Sequence, residues 1–189
     1  MTRELVLASR SPRRRQLLEM LDLPVRVEPA GVSETRLADE APEAYARRLS
    51  ADKARAVAGE FVLGADTIVV LDGAILEKPV DPDDAVAMLL RLGGRTHEVV
   101  TACTLESPLG SETAAGVTRV TFRSLDEQLA RDYVATGEPL DKAGAYGIQG
   151  FGAALVEGIE GDFFTVMGLP LRLVLDLLER AGWPYTFNR

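Results

Sequence analysis

The sequence is poor in the residues that build disulfides, zinc clusters and histidine-based catalytic sites. It contains one cysteine, Cys103, and one histidine, His97, among 189 residues. An intramolecular disulfide and a Cys/His zinc cluster are therefore excluded, and a Ser/His/Asp triad has little support. Because Cys103 lies in an apolar strand pattern, we expect it to be a small core residue rather than a nucleophile. A reducing cytoplasm is the expected compartment.

Long apolar runs and a positive net charge are also missing. No apolar run approaches the length that crosses a membrane, and the first apolar stretch is too short for a signal peptide. The formal net charge of −8 argues against general affinity for nucleic acid backbones. We therefore expect no membrane partner and no stable nucleic acid binding, while local cationic clusters leave small anionic ligands open.

Helical and strand patterns alternate along the chain, and the hydrophobic content of 47% is sufficient for a core. The dipeptide Asp72-Gly73 and the segment 107–110 indicate hairpins, which exclude an all-parallel sheet. Ser124 with Glu127 has the spacing of a capping box, and a short strand is expected over 153–159. The pattern predicts an α/β fold with a mixed central sheet flanked by helices, in a single domain over 1–189.

The first helix carries three arginines where helix electrostatics disfavours them. Ser11 is a favoured N-cap and Pro12 suits the first helical position, so Arg13, Arg14 and Arg15 occupy the first turn. Cations at this positive end are unfavourable unless an anion joins them, and a phosphate would supply that anion. The helical period places Arg13 and Arg14 at or above the apolar face and Arg15 towards water. The alternative is a solvated basic turn.

A carboxylate interrupts the apolar strand predicted over 62–71. Asp66 shares a face with apolar neighbours, and burying an ionised group without partners is costly, so it is normally paired, metal-bound or catalytic. A buried structural salt bridge is the alternative. Gly64 on the same strand favours a functional role, because a glycine inside a strand often marks the close approach of a ligand.

The hairpin that follows this strand is expected to place further polar side chains near Asp66. A two-residue turn at Asp72-Gly73 pairs Thr67 with Lys78 and puts Lys78 on the face opposite Asp66, whereas a three-residue turn with a bulge reverses that arrangement. The sequence does not decide between these two turn lengths. In both cases Glu77 and Lys78 come back beside Asp66 and Thr67.

The segment 141–152 repeats glycine every two or three residues, which is typical of a functional loop. It is neither a Walker loop nor a Rossmann fingerprint, because no Gly-Lys-Ser/Thr follows and no helix opens from it. Lys142 can meet a phosphate as a point charge, and the amide of Gln149 offers a donor and an acceptor to a base edge such as the imide of uracil. A tight turn with an incidental amide is the alternative.

Six ordered sequence blocks together resemble the Maf family of nucleoside triphosphate pyrophosphatases, historically called septum formation proteins. The blocks are LASRSPRR at 7–14, GADT at 64–67, KP at 78–79, HEVVT at 97–101, DKAGAYGIQG at 141–150 and VMGLP at 166–170. The resemblance covers essentially the whole chain. It implies cleavage of a nucleoside triphosphate between the α- and β-phosphates, with Mg²⁺ or Mn²⁺ as the cofactor.

The resemblance also assigns roles to residues. Asp66 matches the aspartate that accepts a proton from water, although it could instead bind the metal. Glu34 is expected to line the pocket, and because hard cations take oxygen ligands the predicted metal ligands are Glu34, Asp66 and Glu77. The positions that tune substrate choice are Arg13, Thr67 and Gln149. The remaining residues expected to line the pocket are Ser9, Arg14, Lys53, Lys78 and Lys142.

The block at 141–150 resembles the branch of the family that acts on dTTP and UTP. The branch that prefers 7-methylguanosine triphosphate has a glutamate at the position of Gln149 and lacks the DKAG run, and it is the alternative. The resemblance further implies two lobes around a cleft and pairing as a homodimer. A non-catalytic nucleotide-binding regulator of cell division is a second alternative, and RNA binding through the arginine cluster conflicts with the net charge.

Overall fold

The computed structural model describes residues 3–187 and contains a mixed sheet with helices. In chain order the described elements are β1 (Leu5–Leu7), α1 (Pro12–Met20), β2 (Val25–Val27), α2 (Pro42–Arg55), β3 (Phe61–Leu71), β4 (Ala74–Leu76), α3 (Pro82–Leu92), β5 (Thr96–Ser107), β6 (Gly110–Phe122), α4 (Glu127–Ala135), β7 (Val156–Glu160), α5 (Phe163–Met167) and α6 (Leu171–Arg180).

The strands are ordered β2-β1-β3-β5-β6-β7 in the sheet, and β4 pairs with β3 away from this path. Strand β1 runs parallel to both β2 and β3, whereas the pairs β3/β4 and β6/β7 are antiparallel. The predicted mixed α/β class is therefore confirmed. The described residues form two compact units: unit 1 holds 3–66, 101–116 and 168–187, and unit 2 holds 67–100 and 117–167. The single domain over 1–189 stays a prediction.

The hairpin between β3 and β4 has the two-residue turn. Leu71 pairs with Ala74 and Val69 with Leu76. Asp72 and Gly73 both have positive φ, 52° and 77°, as a type I′ turn requires. Strand β4 ends at Leu76, so Glu77 and Lys78 follow the paired region, and both are exposed.

Two local predictions are wrong. The N-cap of α4 is Asp126 rather than Ser124, because the carboxylate of Asp126 accepts a hydrogen bond from the backbone N–H of Leu129 at 2.8 Å. The strand expected over 153–159 begins later, since Gly150–Leu155 forms a 3₁₀ turn that precedes β7. The short helix α5 was not predicted from the sequence.

Gly64 allows helix α2 to pack closely on β3. A Cβ atom at Gly64 would lie 2.1 Å from the carbonyl oxygen of Ser50 and 2.6 Å from the backbone nitrogen of Ala54, both on α2. The helix backbone therefore occupies the space that a side chain would need. The interpretation of Gly64 as a mark of ligand approach is wrong, because the partner that approaches is α2.

The core of unit 2 contains a buried histidine. The ring of His97 packs edge-on against Phe122 and Tyr146, and its Nε2 lies 2.8 Å from the hydroxyl of Tyr146. Its Nδ1 is buried, and within residues 3–187 it has no hydrogen-bond partner. Burial disfavours the charged ring and lowers the pKa of His97 from 6.5 to about 4.

The buried thiol is inert for a similar reason. Cys103 on β5 is fully buried in unit 1, and burial raises its pKa to about 12. This agrees with the expected core role of Cys103. Within the part of the chain that the structure describes, no helix is long and apolar enough to cross a membrane.

We expect His97 to make the protein sensitive to mild acid. Between pH 6.5 and pH 4 the unfolded chain binds a proton at His97 that the folded chain does not bind, so the free energy of unfolding falls as the pH falls. The shift corresponds to about 3 kcal/mol. Urea unfolding of wild type and His97→Gln at several pH values measures this, and wild type should lose more stability across that window. Parallel pH profiles would contradict the prediction.

Candidate functional site

Lys53 in unit 1 joins two of the predicted site carboxylates. Its ammonium lies 2.6 Å from Oδ1 of Asp66 and 2.7 Å from Oε1 of Glu34. The side chains of Lys53 and Asp66 are only 10% and 9% exposed, whereas that of Glu34 is 49% exposed. The buried acid on β3 is therefore paired with a cation from the last turn of α2, and a second carboxylate links this pair to solvent.

The loop that carries Glu34 is fastened to α2. The hydroxyl of Tyr45 donates to the backbone carbonyl of Glu34 at 2.5 Å. Arg48 donates to both carboxylate oxygens of Glu40, at 2.7 and 2.8 Å, and to the carbonyl of Thr35 at 3.1 Å. The hydrogen bonds from Arg48 lower the pKa of Glu40 to about 2. Sequence reasoning missed these three side chains, because only the fold brings α2 against the loop.

Arg14 is turned into unit 1 and binds backbone carbonyls. Its Nε donates to the carbonyl of Gly168 at 2.7 Å, and its Nη1 donates to the carbonyl of Ala65 at 2.8 Å and to Oγ of Ser9 at 3.1 Å. Burial lowers the pKa of Arg14, and the nearby charge of Asp66 opposes that shift. Arg14 therefore ties three chain segments together beside Asp66.

The other arginines of the first helical turn separate as the helical period predicts. Arg13 is half-buried, while Arg15 is exposed and pairs with Glu19 at 2.6 Å. Ser11 caps α1 by accepting the backbone N–H of Arg14. The sequence therefore placed all three side chains correctly relative to the core, but it did not identify the backbone partners of Arg14.

The predicted residues of unit 2 lie near the hairpin and in the glycine-rich loop. Thr67 is half-buried, whereas Lys78 and Gln149 are exposed. The backbone carbonyl of Glu77 accepts a hydrogen bond from the N–H of Gly144 at 3.1 Å, which fastens the loop to the end of the hairpin. Lys142 is half-buried, and its ammonium donates to the backbone carbonyl of Glu138 and to the carboxylate of Asp141.

Two groups of predicted residues are thus connected by contacts inside unit 1. One group is Ser9 with Arg14, and the other is Glu34 with Lys53 and Asp66. Arg13 also lies in unit 1, and unit 2 contains the other candidates: Thr67, Glu77, Lys78, Lys142 and Gln149. The roles proposed for all these residues stay predictions.

The donor set of unit 1 suits a hard divalent cation. Asp66 and Glu34 supply carboxylate oxygens that lie around one ammonium group. No group of three or more His, Cys, Asp or Glu residues within 3–187 is arranged to hold a metal. Mg²⁺ usually binds through one or two carboxylates together with water and substrate phosphates, so two carboxylates fit such an ion without a closed protein cage.

The matches to known proteins cover nearly the whole chain. Residues 4–181 match the family described as Maf-like protein. The dTTP/UTP pyrophosphatase of Koribacter versatilis is 51% identical over 94% of this chain and 94% of its own length. The dTTP/UTP pyrophosphatase of Myxococcus xanthus is 52% identical over 95% of this chain and 93% of its own length.

A solved structure supports the fold. The Staphylococcus aureus Ham1 protein matches with a TM-score of 0.50 at 18% identity, and the match covers 82% of this chain and 80% of that chain. At this identity the likeness concerns the fold alone. The family match and the relatives at about half identity, both over nearly the full length, lead to one conclusion: the chain belongs to the Maf family.

Proposed function

We propose that this chain is a nucleoside triphosphate pyrophosphatase that hydrolyses dTTP and UTP to the monophosphate and pyrophosphate. Relatives about half identical over nearly the whole chain are named dTTP/UTP pyrophosphatases, and the block at 141–150 supports the same branch. The observation that carries the chemistry is the buried carboxylate of Asp66, held by Lys53 at 2.6 Å.

Asp66 is proposed as the proton acceptor. Phosphoanhydride hydrolysis needs an oriented water, a base and positive charge where the phosphates gain negative charge. The hydrogen bond from Lys53 fixes Oδ1 of Asp66, so Oδ2 is the oxygen assigned to take the proton of the attacking water. Arg14, through the carbonyl of Ala65, fixes the backbone that precedes this carboxylate.

A divalent cation, Mg²⁺ or Mn²⁺, is proposed to neutralise phosphate charge with Glu34 as a ligand, and binding of this cation by Asp66 is the alternative to its role as proton acceptor. Glu77 stays a further predicted ligand. The cationic side chains of the predicted pocket are proposed to bind the triphosphate. Arg13, Thr67 and Gln149 are proposed to determine which nucleotide is accepted. A cytoplasmic location and a homodimer also stay proposals.

Activity on a panel of triphosphates tests the function directly. With Mg²⁺ or Mn²⁺ present, the purified protein should release pyrophosphate from dTTP and UTP faster than from CTP, purine triphosphates or 7-methylguanosine triphosphate. Pyrophosphate is measured by a coupled phosphate assay, and chelation with EDTA should abolish its release. Inactivity towards every triphosphate would overturn the proposal, and preference for 7-methylguanosine triphosphate would favour the sister branch.

Asp66→Asn should remove most of the turnover while the protein still folds. The substitution is nearly isosteric and leaves Lys53 paired with Glu34, but the amide cannot accept the proton. Loss of a general base lowers kcat by about 100-fold or more. The matched control is Asp22→Asn, at an exposed position with φ of 55°, which asparagine tolerates.

Asp66→Asn also separates an enzyme from a nucleotide-binding regulator. A variant that keeps wild-type turnover would remove Asp66 from the chemistry. Nucleotide binding that survives in the variant while kcat collapses supports the catalytic role.

Arg14→Lys is expected to lower stability. Lysine cannot reach two carbonyls and a hydroxyl in the fixed geometry of a guanidinium, so buried acceptors would be left without partners. We expect the free energy of unfolding to fall by about 2–4 kcal/mol in denaturant titrations. Arg15→Lys, on the exposed side of the same turn, is the control and should be unchanged. A stable Arg14→Lys with a raised KM would instead indicate substrate contact.

A further inference from the structure

The carboxylate of Glu138 is the centre of the loop that carries Gln149. Its Oε1 accepts the hydroxyl of Tyr133 at 2.8 Å and the backbone N–H of Gly152 at 3.0 Å, and its Oε2 accepts the N–H of Phe151 at 2.9 Å. All these residues belong to unit 2. One carboxylate therefore fixes the backbone that immediately follows Gln149.

The hydrogen bonds keep this carboxylate ionised. Burial raises the pKa of Glu138, but the donors from Tyr133, Gly152 and Phe151 outweigh burial and lower the pKa overall. Hydrogen bonds to a charged acceptor are about twice as strong as those between neutral groups. The loop is consequently held by charge-assisted bonds rather than by ordinary turn contacts.

The glycines of the loop allow the carboxylate to approach the backbone. A Cβ atom at Gly150, where φ is +73°, would lie 2.5 Å from Oε2 of Glu138. A Cβ atom at Gly152 would lie 2.1 Å from the carbonyl oxygen of Gly147. These two glycines are therefore explained by packing around Glu138 and within the loop itself.

Tyr133 connects the start of the same segment to the same anchor. Its hydroxyl accepts the backbone N–H of Gly147 at 3.1 Å and donates to Glu138. Gln149 thus lies between two anchored points, Gly147 on one side and Phe151 on the other, while its own side chain is exposed. The main chain of Gln149 is fixed although its amide faces outward.

We propose that Glu138 and Tyr133 are positioning residues that hold the main chain of Gln149 where its side-chain amide reaches the pyrimidine base. This inference rests on the proposed function. Neither residue is assigned a contact with substrate, and both act through the backbone of residues 147–152. An anchored main chain limits the positions that the amide of Gln149 can reach, whereas a loose loop would spread those positions widely.

The first test is Glu138→Gln, which keeps the size of the side chain but removes the charge and turns an NH₂ group towards a backbone N–H. KM for UTP and dTTP should rise about tenfold or more, as expected for a lost charged hydrogen bond. The preference for UTP over CTP should fall by a similar factor, and kcat should change less than threefold. The matched control is Glu157→Gln, which is exposed on β7 and should equal wild type.

Tyr133→Phe removes only the hydroxyl and gives a second, milder variant. It should shift KM and base preference in the same direction as Glu138→Gln, by a smaller factor. Thermal unfolding is recorded for each variant, and if Glu138→Gln fails to fold, Tyr133→Phe decides. Loss of kcat with unchanged KM and unchanged base preference in the folded variants would overturn the inference.

A double mutant distinguishes positioning from general loosening. If Glu138 acts through Gln149, Glu138→Gln should change the UTP/CTP preference little in a Gln149→Ala background, and full additivity of the two effects contradicts the proposal. The experiments test the proposed function and this inference separately. Wild type that hydrolyses no triphosphate overturns the proposed function, whereas active wild type with an unaltered Glu138→Gln overturns only this inference.

Discussion

The candidate site of unit 1 depends on the ion pairs that the ammonium of Lys53 makes with Asp66 and Glu34. This ammonium neutralises a carboxylate that β3 carries into the core, and without it Asp66 would be an unpaired buried charge costing several kcal/mol. The same ammonium reaches Glu34 on a half-exposed loop. The ammonium of Lys53 therefore compensates the buried charge of Asp66 and links it through Glu34 to the surface, where the proposed triphosphate and metal ion would bind.

The surrounding structure fixes this arrangement from several directions. Gly64 lets α2, the helix that carries Lys53, pack against β3. Arg14 holds the carbonyl of Ala65, next to Asp66, and Tyr45 holds the carbonyl of Glu34. The arginine cluster that first suggests an anion site is thus partly structural, because one guanidinium is directed inward to backbone carbonyls. Arg13 stays as a candidate for substrate.

In unit 2 a single charged side chain also holds a segment in place. The glycine-rich loop of this unit contains short 3₁₀ turns at Ala143–Ala145 and Gly150–Leu155 but no α-helix or strand, and it is organised around the carboxylate of Glu138. Recurrent glycine in this segment first suggests a functional loop, but the space beside Gly150 is taken by the carboxylate of Glu138 and the space beside Gly152 by the carbonyl of Gly147. His97 and Tyr146 pack in the core of the same unit, so the loop joins that core through an aromatic residue.

The sequence by itself determined the α/β class, the presence of a hairpin at Asp72-Gly73, the orientation of the three arginines and the family. These features depend on local periodicity, turn chemistry and the order of short motifs, all of which are written along the chain. Only the tertiary structure decided the partners of Asp66, Arg14 and Glu138 and the reason for Gly64. Their contacts join residues distant in sequence, such as Arg14 and Gly168, and depend on which backbone atoms the packed elements bring within hydrogen-bonding distance.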